Sequence, residues 1–253
     1  MKIKSEGIKV GDRVEFDGEN ILAVKPRRNF SPRLNVSNID CVNIVVADFP
    51  EPDYLLVDKM IIEANYIGAS VYITVNKCDI SDKTLLYIKD NYSKAVDKIF
   101  AVSAEKGEGL DELKEEFKGK LVVFAGQSAV GKTSITNALF EKTERVNDLS
   151  KKTMRGRHTT TGRKIHIEGD FAVMDTPGFS SVITNFIKSE EIALYYREFS
   201  KFNGKCWYIG CTHTAEPDCL VKEALSRGEI SADRYQRYID IYKEIKEYEK
   251  RKY

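Results

Sequence analysis

Residues 126–134 read GQSAVGKTS, a match to GxxxxGK[ST] that follows the apolar run LVVFA and precedes a helical pattern opened by Lys132. Strand, glycine loop, helix is the context this pattern needs in order to hold a phosphate. Gly126 and Gly131 let successive backbone N–H groups curl inward, and the helix N-terminus adds positive potential. Lys132 would reach the β/γ oxygens and the Thr133 hydroxyl would hold Mg²⁺. The expected phosphate site is therefore Gly126, Gln127, Ser128, Ala129, Val130, Gly131, Lys132, Thr133 and Ser134. It says nucleotide without saying which one.

The base is decided upstream, in VNKCDI at residues 75–80, where a second apolar run ends. A carboxylate at Asp79 can accept from both N1–H and the 2-amino group of guanine. Adenine offers an acceptor at N1 and no amino group there, so it would leave that carboxylate desolvated and unpaired. Asn76 and the aliphatic stem of Lys77 would frame the ring. Ser103-Ala104-Glu105, after the next strand, supplies the Ala104 N–H for guanine O6. Downstream, Asp175-Thr-Pro-Gly178 closes the run FAVMDTP. There Asp175 would hold the Mg²⁺ shell through water and the Gly178 N–H would sense the γ-phosphate. Between loop and turn, the polar, basic segment 141–163 contains His158-Thr159-Thr160-Thr161 and reads as a switch. Thr160 is the expected Mg²⁺-facing hydroxyl, with Thr159 and Thr161 as alternatives.

The chain thus presents base, base, phosphate, switch, switch, with the base-reading loops first. A fold depends on where strands lie in the sheet, not on which end of the chain supplies them, so the order reads as a circular permutation. Around these motifs, apolar runs alternate with helical patterns: VNIVVA, a helix from Asp53 to Gly68, SVYITVN, another helix, KIFAVSA, a helix from Leu110 to Phe117, LVVFAG, and the helix at Lys132. RKIHIEG and FAVMDTP then resemble a hairpin. This is the pattern of an α/β fold, a parallel sheet covered by helices, over residues 39–184. Residues 1–38 are polar, with a hairpin signal at Asp17-Gly18, and read as a small β element.

In the third region, residues 185–253, helical patterns flank Cys206, Cys211, His213 and Cys219. Three thiolates and one imidazole form a closed set suited to structural Zn²⁺, with no open position for chemistry. Cys41 and Cys78, the other two of five cysteines, read as buried thiols. The last helix, from Ser231 to Tyr253, carries Tyr235, Tyr238, Tyr242 and Ile245 at helical spacing, a packing stripe, and its charges read as a solvated face.

With 40 basic and 39 acidic residues in 253, the net charge of +1 excludes nucleic-acid binding by bulk charge, so any such contact must come from local patches. The charged first 20 residues lack the core of a signal peptide, and no apolar run approaches the ~18 residues that span a bilayer. A cytoplasmic chain without membrane contact is expected, and in that reducing compartment clustered cysteines mean metal.

The order NKCD, SAE, GQSAVGKTS, GRHTTT, DTPGF resembles the circularly permuted GTPases. CTHTAEPDC, together with GRHTTT and RYQRYI, closely resembles the ribosome small-subunit-dependent GTPase A family, over about residues 25–245. The resemblance implies hydrolysis of GTP to GDP and phosphate, stimulated by the small ribosomal subunit. It implies binding to that subunit and its rRNA, and action late in subunit assembly. It also implies an N-terminal OB-fold barrel, but 38 residues hold only part of five strands at ~5 to 6 residues each, so a truncated OB-like element is expected. Ala129 stands where the family usually has glycine, which is tolerated if its φ is negative. Phe179 follows DTPG where Ras-like proteins carry a water-orienting glutamine, and phenylalanine cannot hydrogen-bond water. His158 is the nearest substitute, as the resemblance also suggests, with a solvated loop histidine as the alternative.

Lys142, Arg145, Lys151, Lys152, Arg155, Arg157, Arg163 and Lys164 would meet RNA phosphates, or else keep the segment solvated. Permutation sets the zinc region directly after DTPGF, so motion of that turn would pass to residues 185–253. A monomer is expected. The rival reading is an rRNA-binding module in which GTP locks shape and hydrolysis is incidental.

Overall fold

The structure, a computed structural model, describes residues 7–147, 164–175 and 186–251. The chain enters through two antiparallel ladders. β1 (Val14–Phe16) pairs with β2 (Ile21–Val24), and β3 (Phe30–Ser31) pairs with β4 (Val36–Ser37). The β1–β2 turn is four residues long, not the two suggested by Asp17-Gly18. Asp17 Oδ1 accepts from the amides of both Glu19 and Asn20, at 3.0 and 2.8 Å, and so closes a wider loop. Asp12 joins the ladders: its carboxylate accepts from Arg27 Nε at 2.7 Å and from the Ser37 hydroxyl at 2.5 Å. Among the described residues this segment forms two separate two-stranded ladders.

From residue 41 the pattern changes. β5 (Cys41–Val46), CVNIVV, is buried at every position, as a strand covered on both faces must be. α1 (Tyr54–Tyr66), β6 (Ser70–Val75), α2 (Lys83–Tyr92), β7 (Lys98–Ala101), α3 (Leu110–Phe117), β8 (Leu121–Ala125), α4 (Lys132–Asn147), β9 (Lys164–Glu168) and β10 (Phe171–Asp175) follow. The six-stranded sheet runs β7-β6-β5-β8-β10-β9, parallel except for the β9–β10 hairpin. Period-two alternation sorts the side chains. Val42, Ile44 and Val46 face Val57, Met60 and Ile61 of α1 and Ile88 of α2. Cys41 and Val45 face Leu113 and Phe117 of α3 and Ile135 of α4. Each such apolar side chain contributes about 1.5–3 kcal/mol by its burial.

This strand order explains why a permuted chain can still build one site. β6 and β8 are parallel and separated only by β5, so the loops at their C-terminal ends open on the same edge. Successive strands move outward in opposite directions from β5 and β8, and the crevice at such a reversal is where open α/β sheets bind ligands.

The remaining chain forms two 3₁₀ helices (Ser189–Tyr195 and Arg197–Phe202), α5 (Leu220–Ser226) and α6 (Ala232–Arg251). Its core of Ile192, Tyr196, Phe199, Tyr238, Ile241 and Ile245 takes in Ile62 of α1. α1 is therefore a wall shared between two cores, which is why polar Asp58 and Glu63 are buried on it along with its apolar residues. The tyrosine stripe of α6 packs, as its spacing predicts, but α6 does not expose all its charges. Arg234 is 2% exposed, and its guanidinium binds Asp58 on α1 and, at 2.5 Å, Glu198. Arg237 Nε adds a 2.5 Å bond to the other Asp58 oxygen, and its Nη atoms reach the Tyr87 and Tyr92 hydroxyls at 3.1 Å. The expected solvated face holds for Asp240, Lys243, Glu244, Lys246 and Glu247, which are exposed, and fails at Arg234 and Arg237. Here two acids on the facing elements draw them in.

Candidate nucleotide site and metal cluster

The phosphate-loop sequence turns out of β8 at Gly126, whose φ is +132° and where a Cβ would lie 2.2 Å from the Val45 carbonyl oxygen. Gly131, at φ +96°, would set a Cβ 2.2 Å from Asn76 Nδ2. Both positions thus need glycine for conformation and for space. Ala129 has φ +64°, so the negative φ that would have made alanine harmless there is not what the loop adopts. Gly-rich loops reverse direction between phosphate-facing amides, and this reversal falls on a residue with a Cβ. Ser128, Ala129, Thr133 and Ser134 are exposed, while Val130 is in the core.

Asn76 is the bolt of the site. It is 4% exposed, its Nδ2 donates to the Val130 carbonyl at 3.0 Å, and its Oδ1 accepts from the Ala104 N–H at 3.1 Å. Three loops distant in sequence are thus fixed by one amide. The side chain expected to frame a ring also holds the loops, and the Ala104 N–H expected at guanine O6 donates to Asn76 here. Lys77, at φ +64°, crosses to the phosphate loop, where Nζ donates to Ala129 O at 3.2 Å and to Phe49 O at 2.7 Å. Gln127 ties that loop to the start of α1, accepting from Asp53 N–H at 2.9 Å and donating to Glu51 O at 3.2 Å.

Asp79 lies just beyond β6, its side chain 10% exposed. A hydrogen bond from the buried Ser103 side chain, with Lys106 Nζ 3.7 Å away, holds its carboxyl below the usual range. It is therefore a pure acceptor at neutral pH. Lys132 Nζ donates to the carbonyls of Gly126 at 2.8 Å and Gln127 at 2.5 Å, and burial pushes its pKa down. Thr133 Oγ1 donates to Asp175 Oδ2 at 2.9 Å. A hydroxyl and a carboxylate oxygen this close fit a hard, oxygen-seeking cation such as Mg²⁺. His158, Thr159, Thr160, Thr161, Gly178 and Phe179 lie outside the described residues, as do Lys151, Lys152, Arg155, Arg157 and Arg163 and the side chains of Lys142, Arg145 and Lys164.

The second cluster is 2% exposed at His213, whose Nδ1 lies 3.6, 3.5 and 3.4 Å from Sγ of Cys206, Cys211 and Cys219, all four ligand atoms being within 4.8 Å of one another. Zn–S near 2.3 Å and Zn–N near 2.0 Å at a tetrahedral angle separate S from N by about 3.5 Å. The donor set and its spacing thus fit one Zn²⁺. Burial opposes ionisation of Glu216, yet bonds from the Thr212 amide and hydroxyl and the Thr214 amide hold it down at about 2, and it clamps the turn carrying His213. Tyr235 donates to His213 O at 2.8 Å and Tyr238 donates to Thr212 O, so the packing stripe of α6 also fastens the cluster's backbone. Sequence reading took these tyrosines as packing alone. Their hydroxyls at buried helical positions, where leucine would ordinarily serve, were the available signal.

Residues 17–185 match the family model described as RsgA GTPase. The chain is 40% identical over 247 residues to the "Small ribosomal subunit biogenesis GTPase RsgA" of Ruminiclostridium cellulolyticum, covering 94% of this chain and 81% of that protein. A protein of the same name from Thermotoga petrophila is 36% identical over 258 residues, with 97% and 86% covered. Among solved structures, the crystal structure of YjeQ from Thermotoga maritima superposes with a TM-score of 0.79 at 34% identity, covering 94% of this chain and 84% of that one. YloQ, described as a circularly permuted GTPase, superposes with a TM-score of 0.78 at 25% identity, covering 97% and 84%.

Proposed function

The chain belongs to the RsgA GTPase family, and from that premise we propose that it hydrolyses GTP to GDP and phosphate, binds the small ribosomal subunit in the cytoplasm, and acts late in that subunit's maturation. One observation carries the nucleotide reading: Asn76 hydrogen-bonds Val130 O and the Ala104 N–H together. The loop with Asp79 and the loop with Gly131 therefore bound one crevice. The partner comes from the names of the relatives.

In this reading Asp79 takes the guanine edge, and the 126–134 loop takes the phosphates. Lys132 turns from its own loop's carbonyls to the β/γ oxygens. Thr133 and Asp175 would hold Mg²⁺ together with Thr160, and the cation, when bound, neutralises charge on the phosphate oxygens. His158 orients the attacking water once the subunit orders its segment. Residues 39–184 form the nucleotide-binding domain, 185–253 the zinc domain, and 1–38 a small OB-like β element, while the basic segment meets rRNA. The chain acts as a monomer. No helix among the described residues is long and apolar enough to cross a membrane.

Coupling of nucleotide state to the zinc domain has two supports. The DTPG turn precedes residues 186–251 in the sequence by seven residues, and Gln127 grips the start of α1, whose Asp58 grips Arg234 and Arg237. The test is the GTP hydrolysis rate with added small or large subunits at several salt concentrations, with ATP as competitor. The reading expects stimulation by small subunits alone, weakened by salt, and no competition by ATP. Equal turnover with and without small subunits would overturn it.

A further inference from the structure

Guanine is a neutral ring. When its N1–H and 2-amino group close over Asp79, the carboxylate loses water and gains no opposite charge from the ligand. The Asp79 side chain is only 10% exposed before anything binds. Its surroundings are acidic as well. Asp48, on the loop after β5, and Asp82, three residues on, bear on the same place: burial pushes the neighbouring Cys78 thiol up, and the charges of Asp48, Asp79 and Asp82 add to it. Glu105 is exposed on the adjoining loop.

Among the described residues one ammonium pairs with Asp79. Lys77, beside it in the chain, turns its own to Phe49 O and Ala129 O, and Lys83 bears on Asp48. Lys106 Nζ lies 3.7 Å from Asp79 Oδ2. The backbone places it there. Ser103 Oγ accepts from the Lys106 N–H at 3.1 Å, which leaves the hydroxyl hydrogen for Asp79. One serine thus seats both the carboxylate and the residue carrying its counter-charge. The loop is closed by Gly107 N–H and Glu108 N–H on Ser103 O, at 2.8 and 3.1 Å, and Cys78 N–H on Val102 O, at 3.1 Å, locks the base loop to it. The Lys106 side chain is 54% exposed, so the ammonium keeps much of its own water while it offsets a charge that cannot.

We propose that Lys106 is a positioning residue that decides base specificity: its ammonium keeps Asp79 an anion, and therefore an acceptor at both oxygens, beneath the neutral edge of guanine. This deepens the guanine reading and rests on it. A protonated Asp79 would set a donor against the 2-amino group. The Ser103 bond and Lys106 together hold Asp79 below the usual carboxylate range. Removing the cation moves its ionisation to higher pH, so guanine affinity should begin to fail at a higher pH on acidification.

The test titrates the zinc-loaded full chain, as parent, Lys106→Met and Lys106→Arg, with a fluorescent GDP from about pH 8 down to about pH 5. Inosine diphosphate, which keeps N1–H and lacks the 2-amino group, is the competitor. Lys106→Met should weaken GDP about five- to tenfold at neutral pH, weaken inosine diphosphate less, and lose GDP at a higher pH than the parent. Lys106→Arg should restore all three. Titration of the nucleotide's own phosphates is common to the three proteins and cancels between them. Unchanged GDP affinity and pH profile in Lys106→Met overturn the inference. Equal weakening of both nucleotides with an unmoved pH profile also overturns it, and marks Lys106 as a simple attractor of phosphate. Failure of Lys106→Arg to restore the parent's profile has the same force. If the parent binds GDP no better than ADP, the guanine reading itself fails and the inference falls with it.

Discussion

Ala129 sits at φ +64°, where a Cβ crowds the following carbonyl at a cost of roughly 1–2 kcal/mol. Glycine would remove that strain and give back about 0.4–1 kcal/mol through a freer unfolded chain. Ala129→Gly should therefore be neutral or up to about 1 kcal/mol stabilising in urea unfolding, while the β-branched Ala129→Val should destabilise. Asn76 makes the opposite case. Asn76→Ala would leave Val130 O and the Ala104 N–H buried without partners, at about 1–3 kcal/mol each. Loss of GTP affinity should accompany loss of thermal stability in that variant. Asp79 tests base recognition directly. Asp79→Asn replaces an acceptor by a donor against the guanine amino group. It should cut GTP affinity at least about a hundredfold, and favour a xanthine nucleotide, whose 2-carbonyl accepts. His158→Ala should retain nucleotide affinity and lose about 10²- to 10⁴-fold of subunit-stimulated turnover, measured in single-turnover assays.

At the scale of elements, α3 is pinned to the sheet by Glu116. Bonds from Lys120, Lys98 and Tyr72 hold that carboxyl down at about 2, against an ordinary 4.5. A depressed folded-state pKa contributes stability above the unfolded pKa, and that stability is lost as pH falls through the folded value. Glu116→Gln should thus cost about 1–3 kcal/mol at pH 7, and its difference from the parent should shrink between pH 4.5 and pH 2. The docking of α6 is a harsher case. Arg234→Met would leave Glu198 buried without its cation and Asp58 with Arg237 alone, at about 3–5 kcal/mol. The strands, the glycine loop and the Cys/His spacing were legible in the sequence because each rests on local pattern: periodicity, glycine punctuation, ligand count. The partners of Asn76 and Arg234 were not, since their bonds join residues 28 to 176 positions apart, and nothing local to an asparagine or an arginine says what a folded neighbour will offer. The N-terminal turn was misjudged by two residues for a related reason: an Asp side chain competed with the backbone to set its length.

For the molecule as a whole, the metal cluster and the nucleotide crevice are separate constructions joined through α1. Chelating the metal, or Cys211→Ser, should loosen residues 203–221 and the hydroxyl contacts of Tyr235 and Tyr238. Binding of a fluorescent GTP analogue should persist, because Asn76, Asp79 and the 126–134 loop rest on the sheet. Loss of subunit affinity together with retained nucleotide affinity would be the signature. The shared wall also has a practical corollary. The family match stops at residue 185, inviting a shortened protein that ends there. Such a fragment would present Ile62 and an uncompensated Asp58 to solvent along one flank of its own first long helix. Expression of residues 1–185 should therefore yield an aggregating product, recoverable when residues 186–253 are supplied in trans.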